Sequence, residues 1–142
     1  MDMDLTRARN LLQTDGCTCV LCKDETVYKS DRRGVSPLMG WLESGTDLKG
    51  FSAADKVVGK ATAFLYCLLG VKAVYALVMS EAAAKALEQQ GIPFFYEQLV
   101  PAIQNRAGDG LCPMEQATRD LHDPADAPAA IRHALANLTS KN

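Results

Sequence analysis

The sequence has few of the residues that direct a protein to nucleic acid or to a histidine-rich metal site. It contains two histidines, His122 and His133, and neither belongs to a recognisable Cys/His arrangement. No run of Lys or Arg is longer than Arg32-Arg33, and 17 acidic side chains outnumber 15 basic ones. Because a phosphate backbone is bound through a basic stripe, we expect no nucleic-acid partner.

The sequence also begins without the cationic stretch and apolar run of a signal peptide. Its five cysteines are an odd number, which fits poorly with a disulfide framework. We therefore expect reduced thiols and a cytoplasmic location.

One long apolar stretch, Ala61 to Met79, needs an explanation other than a membrane span. Its pattern changes after Gly70, from apolar residues at helical spacing to a β-branched and aromatic run. A helix, a glycine stop and a buried strand fit this change better than one spanning helix does. We expect no membrane partner.

The chain has 142 residues, 48% of them hydrophobic, which is enough for one domain with its own core. The predicted order is β-β-α-α-β-α-β, followed by two helices. The pattern predicts strands at 16–21, 25–29, 71–79 and 93–100, and helices at 37–43, 52–69, 81–90 and 113–121. A linker at 123–128 then leads to a last helix that ends near residue 138.

A strand, a helix and a strand in the middle of a small domain imply a parallel strand pair joined by a right-handed crossover. The predicted class is therefore α/β, a three-layer α/β/α sandwich around a mixed sheet of about four to five strands. Ligand sites in such sheets collect at strand ends and helix N-termini. We look for chemistry at the helix beginnings near Ser52, Ser80 and Cys112.

Three runs carry a resemblance to a known family: Phe51-Ser-Ala-Ala-Asp-Lys-Val-Val-Gly-Lys-Ala61, Gly70-Val-Lys-Ala-Val-Tyr-Ala76 and Leu111-Cys-Pro-Met-Glu115. From about Leu5 to Leu135 the chain resembles a domain-of-unknown-function family of small bacterial proteins in the cytidine deaminase-like superfamily. The resemblance implies a deaminase-like fold, but no reaction, because that family has no established one.

The zinc enzymes of this superfamily carry His-Ala-Glu at the start of one helix and Pro-Cys-x-x-Cys at the start of the next, after an intervening strand. By position, residues 53–55 read Ala-Ala-Asp and residues 79–83 read Met-Ser-Glu-Ala-Ala. All three zinc ligands are missing. Since a catalytic zinc needs three protein ligands, the resemblance implies a fold without that metal and without another cofactor. Only the glutamate of the His-Ala-Glu motif has a counterpart here, the shorter carboxylate side chain of Asp55.

Asp55 has two interpretations. Ser52-x-x-Asp55 is close to a capping box, in which both side chains satisfy amides of a first helical turn. Alternatively, Asp55 lies in the superfamily's pocket as a proton carrier, beside Lys56 as a ligand contact. Ser80 and Glu81, at the next predicted helix beginning, would then complete the ligand contacts.

Cys112 precedes Pro113, a favoured first helical residue, so the thiol would lie at a helix N-terminus that favours thiolate. Glu115 follows at the third helical position as a candidate for proton transfer, and Arg106 is near enough in sequence to bind an anionic group. The alternative is an unreactive, packed cysteine.

Cys17, Cys19 and Cys22 form C-x-C-x-x-C, which admits a metal site, a redox pair or three structural cysteines. In a strand, Cys17 and Cys19 face one side and Cys22 the other. This geometry favours structural cysteines.

Three hypotheses of function follow. The first is a zinc-free deaminase-like domain that binds a small, nucleotide-like or nucleoside-like ligand. The second is a metal-free thiol enzyme or sulfur carrier that uses Cys112 as the nucleophile. The third is an interaction protein with a vestigial pocket, and self-association is compatible with all three. Fold alone does not choose among them.

Overall fold

The computed structural model describes residues 1–105 and 107–140, so the ligand candidate Arg106 lies outside the described residues. The helices are α1 (Met3–Thr14), α2 (Ser36–Ser44), α3 (Lys60–Leu69), α4 (Glu81–Gln89), α5 (Pro113–Thr118) and α6 (Ala127–Ser140), with a 3-10 turn at Pro124–Asp126. The strands are β1 (Cys19–Lys23), β2 (Thr26–Ser30), β3 (Ser52–Val58), β4 (Ala73–Ser80) and β5 (Phe94–Val100).

The five strands form one mixed sheet in the order β2-β1-β3-β4-β5. β1 is antiparallel to both β2 and β3, whereas β3, β4 and β5 run parallel. Apolar residues of α1 form one core cluster with one face of the sheet. Residues of α2 to α6 form a larger cluster with the other face. The predicted three-layer α/β/α sandwich is confirmed.

Helix α1 is absent from the sequence prediction. Asp2 caps it by accepting a hydrogen bond from the Leu5 amide, 2.7 Å away. Only Leu5, Ala8 and Leu12 are buried along its twelve residues. This apolar stripe is narrow, so the periodicity signal is weak, and the helix is stabilised by packing on the sheet.

The predicted helix over 52–69 is wrong for residues 52–59. Ser52–Val58 is strand β3, and α3 begins only at Lys60, after Gly59. Alanine-rich sequence favours helix, but β3 lies between β1 and β4 with Ser52 to Asp55 all buried. A central strand covered on both faces shows no alternation of apolar and polar residues, and tertiary pairing overrides local propensity. The capping box proposed for Ser52 and Asp55 therefore does not exist.

Most other predicted elements are confirmed, with shifted ends. The first hairpin turns at Asp24, which has a positive φ of 52°. Gly70 ends α3 in the left-handed region with φ of 76°, as the predicted glycine stop requires. In residues 1–105 and 107–140, the helices are too short or too polar to cross a membrane.

Candidate functional site

The parallel strands β3, β4 and β5 end at Val58, Ser80 and Val100, and we call this side of the sheet the carboxyl edge. Helices α3 and α4 begin there, and the segment leading to α5 leaves β5 at the same edge. Parallel sheets collect ligands at such an edge. It gathers several of the sequence candidates, though not into one cavity.

Glu115 is the candidate that makes the most specific contact at this edge. Its carboxylate accepts a hydrogen bond from the backbone amide of Lys60, the first residue of α3. The amide of Ala61 also points to it, and the residue is 8% exposed. Burial raises the pKa of Glu115, and the Lys60 and Ala61 amides and the Lys60 charge oppose that rise. The structure therefore makes Glu115 a cap of α3 supplied by another helix.

Ser80 and Glu81 begin α4. The Ser80 hydroxyl is fully buried and accepts a hydrogen bond from the Ala83 amide at 3.1 Å, so the predicted N-cap is confirmed. Glu81 is exposed in the first turn. Their predicted contact with a ligand stays a prediction.

Cys112 is the N-cap residue of α5, and its thiol makes no capping hydrogen bond. The residue is half-buried against the core. Helix α5 is only six residues long. Glu115, in the first turn of α5, directs its carboxylate to α3. The structure thus gives this carboxylate a role at α3 rather than at the Cys112 thiol.

Asp55 lies within β3 and not at a helix N-terminus. Its carboxylate accepts a hydrogen bond from the Tyr66 hydroxyl of α3 at 2.7 Å, and that hydroxyl is 3.2 Å from the Cys19 sulfur of β1. Asp55 is 7% exposed, and Tyr66 and Cys19 are at most 1% exposed. Lys56, the next residue of β3, is exposed. Asp55 and Lys56 therefore do not face a common site.

Sequence reasoning missed Tyr66 because it fits the apolar face of a helix. The cluster of Asp55, Tyr66 and Cys19 joins three separate elements, and register alone places two of them together, since Cys19 pairs with Asp55 across β1 and β3. All five cysteines are free thiols, and Cys17 and Cys22 are also buried.

Surface cavities of the described residues that lie away from this cluster include two of different size. The larger, about 400 Å³, is lined only by α1 and residues that precede it. A smaller cleft of about 180 Å³ lies between β2 and α2, at the end where β2 stops, and we call it the β2–α2 cleft. Two basic residues, two serines and a tryptophan are among its lining: Lys29, Ser30, Arg32, Ser36, Pro37, Gly40 and Trp41.

The β2–α2 cleft carries chemistry that the sequence prediction did not use. In the sequence, Arg32 stands out only as part of the longest basic run, and Trp41 has no predicted role in a site. Trp41 is half-buried and makes an edge-on contact with Tyr28, with ring centroids 6.0 Å apart. A basic pair shortly before a Ser-Pro helix start was the available signal.

The residues at the helix beginnings do not fit the catalytic zinc that the zinc enzymes of the resembled superfamily carry. Helices α2, α3 and α4 begin with Ser36-Pro37, Lys60-Ala61 and Glu81-Ala82, without histidine or cysteine. The Ala-Ala-Asp run aligned with His-Ala-Glu lies in β3, so that alignment of residues 53–55 with a helix start is wrong. Across the described residues, no three His, Cys, Asp or Glu side chains are placed as ligands of one ion.

Comparison with known proteins identifies the family. Residues 7–135 match the family described as TM1506, a domain of unknown function (DUF1893). The fold is similar to the crystal structure of a DUF1893 family protein from Thermotoga maritima, with a TM-score of 0.85 and 22% identity over 94% of this chain and 91% of that chain. No curated protein matches the chain. Because the family match covers most of its length, the chain belongs to the DUF1893 family.

Proposed function

We propose that this protein is a deaminase-like domain without catalytic zinc, which binds a small anionic ligand with a flat ring, of nucleotide type, in the β2–α2 cleft. The observation that carries the proposal is the lining of this cleft, where a cationic side chain, hydroxyl groups and an indole ring come together. Such convergence of a few polar groups beside an aromatic ring is typical of small-molecule sites.

The charge in the cleft comes mainly from Arg32. Lys29 also lines it, but its ammonium group is 2.6 Å from the Asp15 carboxylate. Arg32 forms no ion pair with the described residues. A guanidinium group that lacks an internal partner is available to bind phosphate or carboxylate in a bidentate manner.

The backbone beside Arg32 is held in place before any ligand arrives. The Arg32 amide donates a hydrogen bond to the Ser30 hydroxyl at 3.1 Å. The Thr18 hydroxyl lies within hydrogen-bond distance of the carbonyl oxygens of both Ser30 and Arg32, to either of which it can donate. Such pre-ordering lowers the entropic cost of binding.

The hydroxyl of Ser36 supports the same reading, because it makes no side-chain hydrogen bond within the described residues. It stands at the beginning of α2, whose N-cap residue Val35 supplies no side-chain cap. A ligand oxygen could therefore accept a hydrogen bond from this hydroxyl.

The volume of about 180 Å³ limits what enters. It is below the roughly 300–1,000 Å³ of pockets that enclose a drug-sized ligand. A mononucleotide would therefore bind with one end in the cleft and its remainder exposed, and Trp41 is the aromatic residue of the lining that a base would contact. We expect modest affinity.

The deaminase-like relationship is supported by the order of elements around β3. Helix α2, strand β3 and helix α3 follow one another, as in the helix-strand-helix arrangement that carries the superfamily's motifs. The ligand contacts predicted at Lys56, Ser80 and Glu81 would need a second binding surface, since none of these three lines the β2–α2 cleft. Arg106 lies outside the described residues, and its ligand contact stays a prediction.

Trp41 is the only tryptophan of the chain, so its fluorescence reports directly on the cleft. The purified protein is titrated with adenosine and cytidine 5′-monophosphates, with the corresponding nucleosides, and with inorganic phosphate. We expect saturable changes with the nucleotides and weaker binding of nucleoside or phosphate alone. Arg32→Gln should weaken nucleotide binding by roughly 10- to 100-fold, the effect of losing one charge-assisted contact.

Arg33→Gln is the matched control, because Arg33 is the exposed neighbour that does not line the cleft. The control changes net charge by the same amount and should bind as the wild type does. Equal loss in both variants would mean non-specific attraction, and no saturable change with any probe would refute the proposal in favour of the interaction-protein hypothesis.

A further inference from the structure

The buried cluster of Asp55, Tyr66 and Cys19 connects three elements of the fold without a charge to balance it. One oxygen of the Asp55 carboxylate accepts from Tyr66, and the other lies 3.4 Å from the Val57 amide, a long and weak contact. The Tyr66 hydroxyl and the Cys19 thiol, 3.2 Å apart, can exchange donor and acceptor roles.

Each element packed around Asp55 contributes a neighbouring group. β1 contributes Cys19, the register partner of Asp55, and α3 contributes Tyr66. β4 contributes Ala76, which does not ionise. Lys56 follows on β3 with its side chain exposed. No cation and no second carboxylate appears among these neighbours.

A carboxylate with only neutral donors is costly to bury, because hydrogen bonds from a hydroxyl and amides replace only part of its hydration. A neutral carboxyl in the same place is much less costly. The same heavy-atom positions serve both forms. When Asp55 carries a proton, it donates to Tyr66 and Tyr66 donates to Cys19, and when Asp55 is ionised the donors reverse.

We propose that the Asp55–Tyr66–Cys19 cluster is a pH-sensitive lock between β1, β3 and α3, closed when Asp55 is protonated and weakened when Asp55 releases its proton to solvent. The folded protein would therefore be less stable toward unfolding in neutral or alkaline surroundings than in mildly acidic ones.

The titration of the cluster agrees with this geometry. Burial raises the pKa of Asp55 from 3.8 to about 7, against smaller lowering effects of Tyr66 and of the Val57 and Lys56 amides. Burial also raises the pKa values of Tyr66 and Cys19 well above their usual values, so both stay protonated in this range.

The direction of the pH effect follows from the raised pKa. Between about pH 4 and pH 7 the folded protein keeps a proton that the unfolded chain has lost. The contribution of Asp55 to the free energy of unfolding is therefore fully present in acid and decreases as pH rises through that window. The unfolding equilibrium constant should increase by up to an order of 10³ across the window, from the difference between 3.8 and about 7.

The test compares urea unfolding of the wild type with that of Asp55→Asn between pH 5 and pH 8. Asparagine keeps the shape and cannot ionise, so its ratio of unfolding constants to those of the wild type isolates Asp55 from the histidines and from Glu115. We expect the wild type to lose stability relative to Asp55→Asn by at least 30-fold in that constant as pH rises. Asp31→Asn, at an exposed position, is the control and should change nothing.

A ratio that stays constant with pH would refute the lock. If Asp55→Asn fails to fold, the carboxyl carbon of Asp55 is titrated in the wild type by NMR. A midpoint between about pH 6 and pH 8 supports the proposal, and a midpoint below pH 5 overturns it.

Discussion

Glu115 occupies the space into which a side chain at Gly59 would project. A Cβ built on Gly59 would lie 2.9 Å from the carboxyl carbon of Glu115 and 3.3 Å from a methylene carbon of Ile103. Gly59 is in extended backbone, so its φ does not require glycine, and the requirement comes from this contact. The absence of a side chain lets α5 cap α3.

Gly59→Ala should therefore destabilise the protein. The added methyl group displaces the Glu115 carboxylate, which leaves the Lys60 and Ala61 amides without their acceptor. Overpacking and lost hydrogen bonds together predict about 2–4 kcal/mol in the free energy of unfolding. Urea unfolding at pH 6 measures it. A loss below about 0.5 kcal/mol would mean that the carboxylate relaxes freely and that the contact does not constrain residue 59.

Gly40→Ala should stabilise the protein, in contrast to Gly59→Ala, because Gly40 has open space around it. Gly40 is exposed within α2, and an added Cβ meets nothing within 4 Å. Alanine lowers the entropy of the unfolded chain and suits a helix, so we expect about 0.5–1 kcal/mol of stabilisation. The same urea experiment measures it. Since Gly40 lines the β2–α2 cleft, nucleotide binding should weaken although the fold is more stable.

Ser80→Ala separates a structural role from a ligand contact. The substitution removes the hydroxyl that accepts from the Ala83 amide, and the cost should be about 1 kcal/mol in the free energy of unfolding. Ser80→Gly should cost less, a few tenths of a kcal/mol, since glycine is itself a favoured N-cap residue. Nucleotide binding in the β2–α2 cleft should not change in either variant. A loss of nucleotide binding at an equal folded fraction would instead support the predicted ligand contact of Ser80.

Alkylation with iodoacetamide at pH 7.5 should modify the cysteines in a defined order. Cys17, Cys19 and Cys22 are buried and should react only on unfolding. Cys67 and Cys112 are both half-buried, but burial raises the pKa of Cys67 to about 11, so its thiolate is scarce. We expect Cys112 to be labelled first, as mass spectrometry of peptides would measure. Labelling of Cys67 at an equal rate would contradict this, and would remove the selectivity that a thiol enzyme needs.

Part of the candidate site could be predicted from the sequence because it depends on local order. Ser80 precedes an amphipathic run and caps α4, and Cys112 precedes Pro113 at the start of α5, as local rules require. The partner of Glu115 could not be predicted, since 55 residues separate it from Lys60. Asp55 was assigned to the wrong kind of element, because Ala53 and Ala54 favour a helix until β1 and β4 pair with them.

By itself the sequence determined the class of fold, since periodicity and glycine stops are properties of neighbouring residues. It also determined the beginnings of α4 and α5, which follow Ser80 and Cys112 as local capping rules predict. Only the tertiary structure decided that Ser52–Val58 is a central strand, that Tyr66 meets Asp55, and that Arg32 and Trp41 share a cleft. These contacts join residues far apart in the chain, and their energies exist only after the sheet has formed, so no local pattern records them.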